Sequence, residues 1–158
     1  MSDDGERAAL EAGLSGVLTG GRHRLAARVY YADTDFSGVV YHARYLEFLE
    51  RGRSDFLRLA GVHHTELAEG KHGEAMAWVV LRMEIDFIAP ARIDDILTVD
   101  TRAESISGAR IVMAQTLTRG DVVLVRAKVH AAIVGAGGRP RRFPKEWIPA
   151  FTGEPAAG

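Results

Sequence analysis

From Gly73 almost to Val134 the chain is written in a two-residue period, and that stretch constrains the fold more than any other. Ala77, Val79, Leu81, Met83, Ile85, Phe87 and Ala89 are apolar, while Arg82, Glu84 and Asp86 hold the opposite parity, as in a strand with one buried face. Pro90 stops this strand. A second is predicted from Ile96 to Ile106, Ser107-Gly108 turns into a third from Arg110 to Thr118, and Gly120-Asp121 turns again. The last strand sets Val123, Val125, Ala127, Val129, Ala131 and Ile133 on one face, against Arg126, Lys128 and His130. Connections this short favour antiparallel pairing, because a parallel crossover needs a dozen or more residues.

Upstream, Leu25, Ala27, Val29 and Tyr31 alternate with Arg24, Ala26, Arg28 and Tyr30, which predicts one more strand from Leu25 to Tyr31. From about Tyr41 the period changes: Tyr45, Phe48, Leu49, Gly52, Phe56, Leu59 and Ala60 line one helical face, and Gly61 is placed to end the helix. Gly52 on that stripe sacrifices about 1 kcal/mol of helix propensity relative to alanine, so its missing side chain implies a close approach by another backbone. The economical architecture is α+β, with a five-stranded antiparallel sheet wrapped around one long central helix. At 158 residues the chain suits one domain. We place that domain at 23–150, between a flexible N-terminal extension at 1–22 and a tail at 151–158; Leu10, Leu14, Val17 and Leu18 in the extension have helical spacing.

Between the first strand and the helix runs Tyr30-Tyr-Ala-Asp-Thr-Asp-Phe-Ser-Gly-Val-Val-Tyr-His-Ala-Arg-Tyr45. A carboxylate in a loop that feeds a helix start lies near unpaired backbone N–H groups, which can polarise a carbonyl that the acid attacks or toward which it activates water. Acyl transfer is the reaction class this suggests. Asp33 and Asp35 could both serve ordinary turn chemistry. Asp35 is the reactive candidate, since the apolar bulk of Phe36, Val39, Val40 and Tyr41 is expected to desolvate it and raise its pKa. Gly38 can form the turn and let a thioester lie against the backbone. His42 offers a side-chain base or, as we favour, a backbone N–H aimed at a substrate carbonyl oxygen. Gly38, Val39, Tyr41 and Glu50 are the candidate substrate contacts; for Glu50 an i, i+3 ion pair with Arg53 is the default reading, and reach into a site across a subunit boundary is the alternative.

Other chemistries find little support. The chain has no cysteine, which removes disulfides, thiolate metal sites and a cysteine nucleophile. His63, His64, Glu66 and His72 lack a familiar zinc spacing and read as a solvated loop. Gly135-Ala-Gly137-Gly138 runs into Pro140 instead of opening a helix, so it is a turn and not a dinucleotide site. Ser15 lacks the second glycine of a nucleophile elbow. Twenty basic against 21 acidic residues give no global attraction to nucleic acid. No apolar run approaches membrane-spanning length and the N-terminus is acidic, so no transmembrane segment is expected and the cytoplasm is the simplest location. Arg139, Arg141, Arg142 and Lys145 form a basic segment, either a solvated arm or a phosphate contact.

The 30–45 block, with Phe48-Leu-Glu50-Arg-Gly-Arg53, Ala89-Pro-Ala-Arg-Ile-Asp-Asp95 and Arg139-Pro-Arg-Arg-Phe-Pro-Lys145, resembles the hotdog-fold acyl-CoA thioesterases of the 4-hydroxybenzoyl-CoA thioesterase type. The likeness covers about residues 24–149 and is strongest to the Tol–Pal-associated branch known as YbgC. It implies hydrolysis of acyl-CoA to free acid and CoA, with Asp35 as nucleophile or general base and the His42 N–H holding the thioester carbonyl. It further implies homodimers or homotetramers with interfacial active sites, and no metal or other cofactor, coenzyme A being part of the substrate. The phosphates of CoA are a target for Arg139, Arg141 and Arg142, and an acyl carrier protein or the Tol–Pal system is a possible partner. Two alternatives stay open: a non-catalytic hotdog module that binds acyl carriers or envelope-associated proteins, and an acyl-chain dehydratase. The dehydratase would need a histidine on the central helix, which has none after His42.

Overall fold

A computed structural model describes residues 3–71 and 73–154. Strands β1 (Val17–Thr19), β2 (Arg22–Arg28), β3 (Ala77–Phe87), β4 (Ile96–Ser107), β5 (Arg110–Arg119) and β6 (Val122–Val134) form one antiparallel sheet in the order β1-β2-β4-β5-β6-β3. The central helix α2 (Arg44–Leu59) lies against it; α1 (Asp3–Glu11), α3 (His64–Ala68) and α4 (Ile148–Thr152) are short. No helix among the described residues is long and apolar enough to cross a membrane.

The core has two parts, one at each end of α2. Around its first turns, Tyr45, Phe48 and Leu49 pack on Leu97, Val99 and Leu117. Around its last turns, Phe56 and Leu57 pack on Ile111, Met113 and Ile133. Gly52 sits between them, where a Cβ would lie 2.5 Å from Val99 Cγ1 and 3.0 Å from Thr101 Oγ1. The close neighbours are thus sheet side chains and not the expected backbone, because the inward-facing side chains of β4 and β5 fill the space above the glycine. A polar seam crosses the core there: Gln115, 1% exposed, donates to Leu49 O at 2.9 Å and to Thr101 Oγ1 at 2.8 Å. Gly61, at φ +86°, ends the helical run, its N–H reaching Arg58 O at 3.1 Å.

Five expectations change. The sheet has six strands, because Val17–Thr19 in the expected extension pairs with β2. The helical spacing of Leu10 through Leu18 is cut at Gly13 and Gly16, both at positive φ, so only the exposed α1 forms. The first strand is Arg22–Arg28 instead of Leu25–Tyr31, since Val29 N–H turns to Asp95 O and Tyr31–Asp33 coil into a 3-10 turn. In β3 a bulge between Val80 and Arg82 switches parity: Trp78 and Val80 pair across from buried Ile133 and Ala131, while beyond the bulge Met83 and Ile85 pack inward. Ala77, Val79 and Leu81 thus lie off the face assigned to them. Finally, the expected tail from 151 begins with Phe151, 1% exposed and packed on Phe56 with ring centroids 5.2 Å apart, so the fold continues through α4.

Candidate active site

Residues 34–40 form a small hairpin ahead of α2. Asp35 N–H donates to Val39 O at 2.9 Å, Gly38 N–H to Asp35 O at 3.1 Å, and Gly38 holds φ +82°, a left-handed turn that glycine adopts without a Cβ penalty. Val40 N–H to Ala91 O and Tyr41 N–H to Asp33 O tie the hairpin to its surroundings. Asp33 does turn work: it accepts from Tyr30 N–H at 2.8 Å and faces Arg44, which also donates to Ala32 O. At the helix entrance the buried Tyr45 hydroxyl accepts from Ala91 N–H at 2.9 Å, fixing where α2 starts.

Asp35 stands in an open cleft with Tyr31, Thr34, Phe36, Gly38 and Ile93. Its Oδ1 accepts from Ser37 Oγ at 2.6 Å and from Ser37 N–H at 2.8 Å, and the Val39 and Asp35 N–H groups add weaker support for the charged form. The Ser37 hydroxyl, followed by the Ser37 N–H, holds this carboxyl below its ordinary value. That reverses the expected upward shift. Phe36 points into solvent and Asp35 is exposed, so the predicted apolar shell is absent from the protomer and hydrogen bonding decides the direction.

The helix begins at Arg44, later than the expected Tyr41, with Ala43 at its N-cap and no capping side chain. Arg44 N–H bonds Tyr41 O at 2.8 Å, but the N–H groups of His42 and Ala43 find no acceptor among the described residues. These are the orphan donors of a helix start. The His42 ring leans on Tyr41 at 4.6 Å and meets Phe87 edge-on at 6.3 Å, in a second cleft shared with Tyr45 and Pro90. Asp35, Gly38, Val39, Tyr41 and His42 thus occupy one end of the protomer.

Glu50 does not join them. It lines a separate cavity further along α2, together with Arg53, and the predicted Glu50–Arg53 ion pair does not form. Glu50 accepts from Ser54 Oγ at 2.5 Å instead, and Arg53 Nη1 donates to Gln115 Oε1 at 3.0 Å. The basic segment lies at the end of the sheet away from Asp35, beside the β4–β5 turn, where Phe143 N–H donates to Gly108 O. Arg141 is engaged by Glu74, which removes it as a free phosphate contact; Arg139 and Arg142 are exposed. His63, His64 and Glu66 take part in no cluster of three or more metal-capable side chains among the described residues, and His72 lies outside them.

Sequence reasoning missed three contributors. Ser37 controls Asp35 through a two-residue turn, a pattern visible as Asp-x-Ser. Ile93 enters the cleft from the loop before β4, which local sequence does not reveal. Gln115 was detectable, being the polar residue on the inward parity of Ile111, Met113 and Leu117.

A profile of the thioesterase superfamily matches residues 37–129. The acyl-CoA thioesterase YbgC of Haemophilus influenzae is 43% identical over 125 residues, covering 78% of this chain and 90% of that protein. The acyl-CoA thioester hydrolase YbgC of Escherichia coli (strain CFT073) is 38% identical over 130 residues, covering 81% and 94%. A crystal structure of a probable thioesterase from Bartonella henselae superposes with a TM-score of 0.76 at 55% identity, covering 78% of this chain and 99% of that one.

Proposed function

Since the chain belongs to the thioesterase superfamily, in its YbgC branch, and has the hotdog fold, we propose that it hydrolyses acyl-CoA thioesters to free acid and CoA through the Asp35 carboxylate. One observation carries this reading: an exposed carboxylate, held in its charged form by Ser37, stands on the loop that delivers two unpaired backbone N–H groups, those of His42 and Ala43. The thioester carbonyl oxygen accepts from the His42 N–H, which stabilises the oxyanion as it develops. The Ser37 bonds keep Asp35 ionised, the form that either attacks the acyl carbon or activates water, and direct attack is the step taken here. Asp35 Oδ2 bonds to the acyl carbon, CoA leaves as a thiolate and takes up a proton, and water then cleaves the mixed anhydride to restore the carboxylate. No metal or separate cofactor enters these steps.

The reading includes a dimer. Strand β3 is an 11-residue edge strand, and its far side has no strand neighbour among the described residues. Two copies joined antiparallel through the middle of β3 bring one protomer's His42–Phe87 end beside its partner's Trp78–Val80 end. Within one protomer those ends are about seven residues of strand apart, roughly 23 Å. In that arrangement the His42–Phe87 cleft of one copy, which follows the Asp35 loop, faces the Glu50–Arg53 cavity and Arg139 and Arg142 of the other.

The test is thiol release over a panel of acyl-CoAs, comparing the protein with Asp35→Asn. Loss on the order of 10³-fold with the oligomer intact is expected. Near-normal turnover in that variant would sink the mechanism. Binding of acyl-CoA by the unaltered protein without any thiol release would favour a non-catalytic binding module.

A further inference from the structure

The cavity along α2 has a volume of about 180 Å³ and lies between the helix and β3. Leu57, Trp78, Ile111 and Met113 supply apolar walls, and Glu50 and Arg53 supply charge. An apolar cavity of roughly 150 Å³ holds one benzene ring, so this one suits a ring or a chain of a few carbons, far less than a long fatty acyl group.

Arg53 is built into the wall. Its Nη1 is fixed by Gln115, which is itself held by the helix carbonyl of Leu49 and by Thr101. No carboxylate lies within ion-pair distance of it among the described residues, so most of its five N–H donors lack a protein acceptor. Desolvation lowers its pKa from the ordinary arginine value, with Glu50 opposing through its charge. Trp78 adds a buried indole N–H that also lacks a partner. Arg53 is half-buried on the cavity wall, and its donors without protein acceptors are groups that a ligand oxygen in the cavity would satisfy.

We propose that Arg53 is a specificity-determining residue that selects compact acyl groups bearing a neutral oxygen, a hydroxyl or keto group, at the end remote from the thioester. A hydroxyl there accepts from the Arg53 fork and donates toward Glu50. A distal carboxylate meets the Glu50 charge, and a plain alkyl end leaves the donors unpaired. The inference rests on the hydrolase reading and on the dimer, which supplies the reacting Asp35 from the partner.

Binding separates it from turnover. Titration calorimetry on the Asp35→Asn protein compares butyryl-CoA with 4-hydroxybutyryl-CoA, and adds succinyl-CoA and dodecanoyl-CoA. The hydroxylated member should bind about 10- to 100-fold tighter than its plain partner, the range for a hydrogen bond to a charged group. In Asp35→Asn/Arg53→Met that ratio should fall toward one, and Asp35→Asn/Arg53→Lys should give an intermediate ratio, which keeps the test usable if the methionine variant fails to fold. Equal affinities within the pair, tightest binding of dodecanoyl-CoA or succinyl-CoA, or an Arg53→Met effect that weakens both partners equally would overturn the proposal. Thiol release by the unaltered protein on the same pair isolates the underlying reading: no release alongside a preserved binding ratio refutes hydrolysis and leaves the Arg53 selectivity standing.

Discussion

Replacing Gly52 by alanine sets two known effects against each other. Helix propensity alone predicts stabilisation of about 1 kcal/mol. The new methyl, however, would lie 2.5 Å from Val99 Cγ1, 3.0 Å from Thr101 Oγ1 and 3.2 Å from Gln115 Nε2, well inside the optimum of about 3.5–4.0 Å for carbon contacts. Val99 is fully buried and β-branched, on a strand paired on both sides, so it has little room to recede. Thr101 and Gln115 are bonded to each other, and displacing either strains that bond. Overpacking costs about 1–3 kcal/mol, and disturbing a buried hydrogen bond adds about 1 kcal/mol. After subtracting the propensity gain, the net expectation is destabilisation of about 1–3 kcal/mol. For a chain of 158 residues that is a fall in Tm of roughly 2–12 °C. Urea unfolding at fixed protomer concentration measures it, with the midpoint moving and the m-value unchanged. An unchanged or raised stability would refute the view that Gly52 sets the spacing between helix and sheet.

The remaining predictions concern the loop and the C-terminal helix. Ser37→Ala removes the largest influence lowering the Asp35 pKa, so that pKa should rise; because the carboxylate is the active form, the acid limb of the kcat/KM profile should move to higher pH, and a limb that stays put or moves down contradicts the assignment. Phe151→Ala should destabilise by about 3–5 kcal/mol in thermal or urea unfolding, whereas a change below about 0.5 kcal/mol would mark α4 as a mere tail.

Where one physical signal dominates, the fold was legible in the sequence. The long strands and α2 follow from hydrophobic period, and Gly61 from its left-handed stop. The β3 bulge was hidden because Ala77 through Leu81 is apolar at every position, so neither parity stood out. Strand β1 is three residues long and too short to show a period. Trp147 and Phe151 carry helical i, i+4 spacing, a signal available in the sequence but overshadowed by the prolines around it. In the site, the position of Asp35 followed from turn and helix-start chemistry, but its electrostatics did not. Apolar neighbours in sequence say nothing about which way Phe36 points, and the Ser37 bonds depend on the turn geometry. The Glu50–Arg53 pairing failed for a related reason: Gln115, distant in sequence, offers Arg53 a better-placed partner.

The bulge at Leu81 has a consequence for how a fold like this diversifies. It divides β3 into two half-strands whose inward residues are set independently, Trp78 and Val80 before it, Met83 and Ile85 after it. Deleting Leu81 would leave both halves in phase, because Val80 and Arg82 already oppose consecutive residues of β6, whereas straightening the strand at unchanged length would turn Ala77 and Val79 inward in place of Trp78 and Val80. A lineage could thus trade one ligand shape for another by gaining or smoothing a kink in one strand, with chain length unchanged and no substitution near the reacting carboxylate.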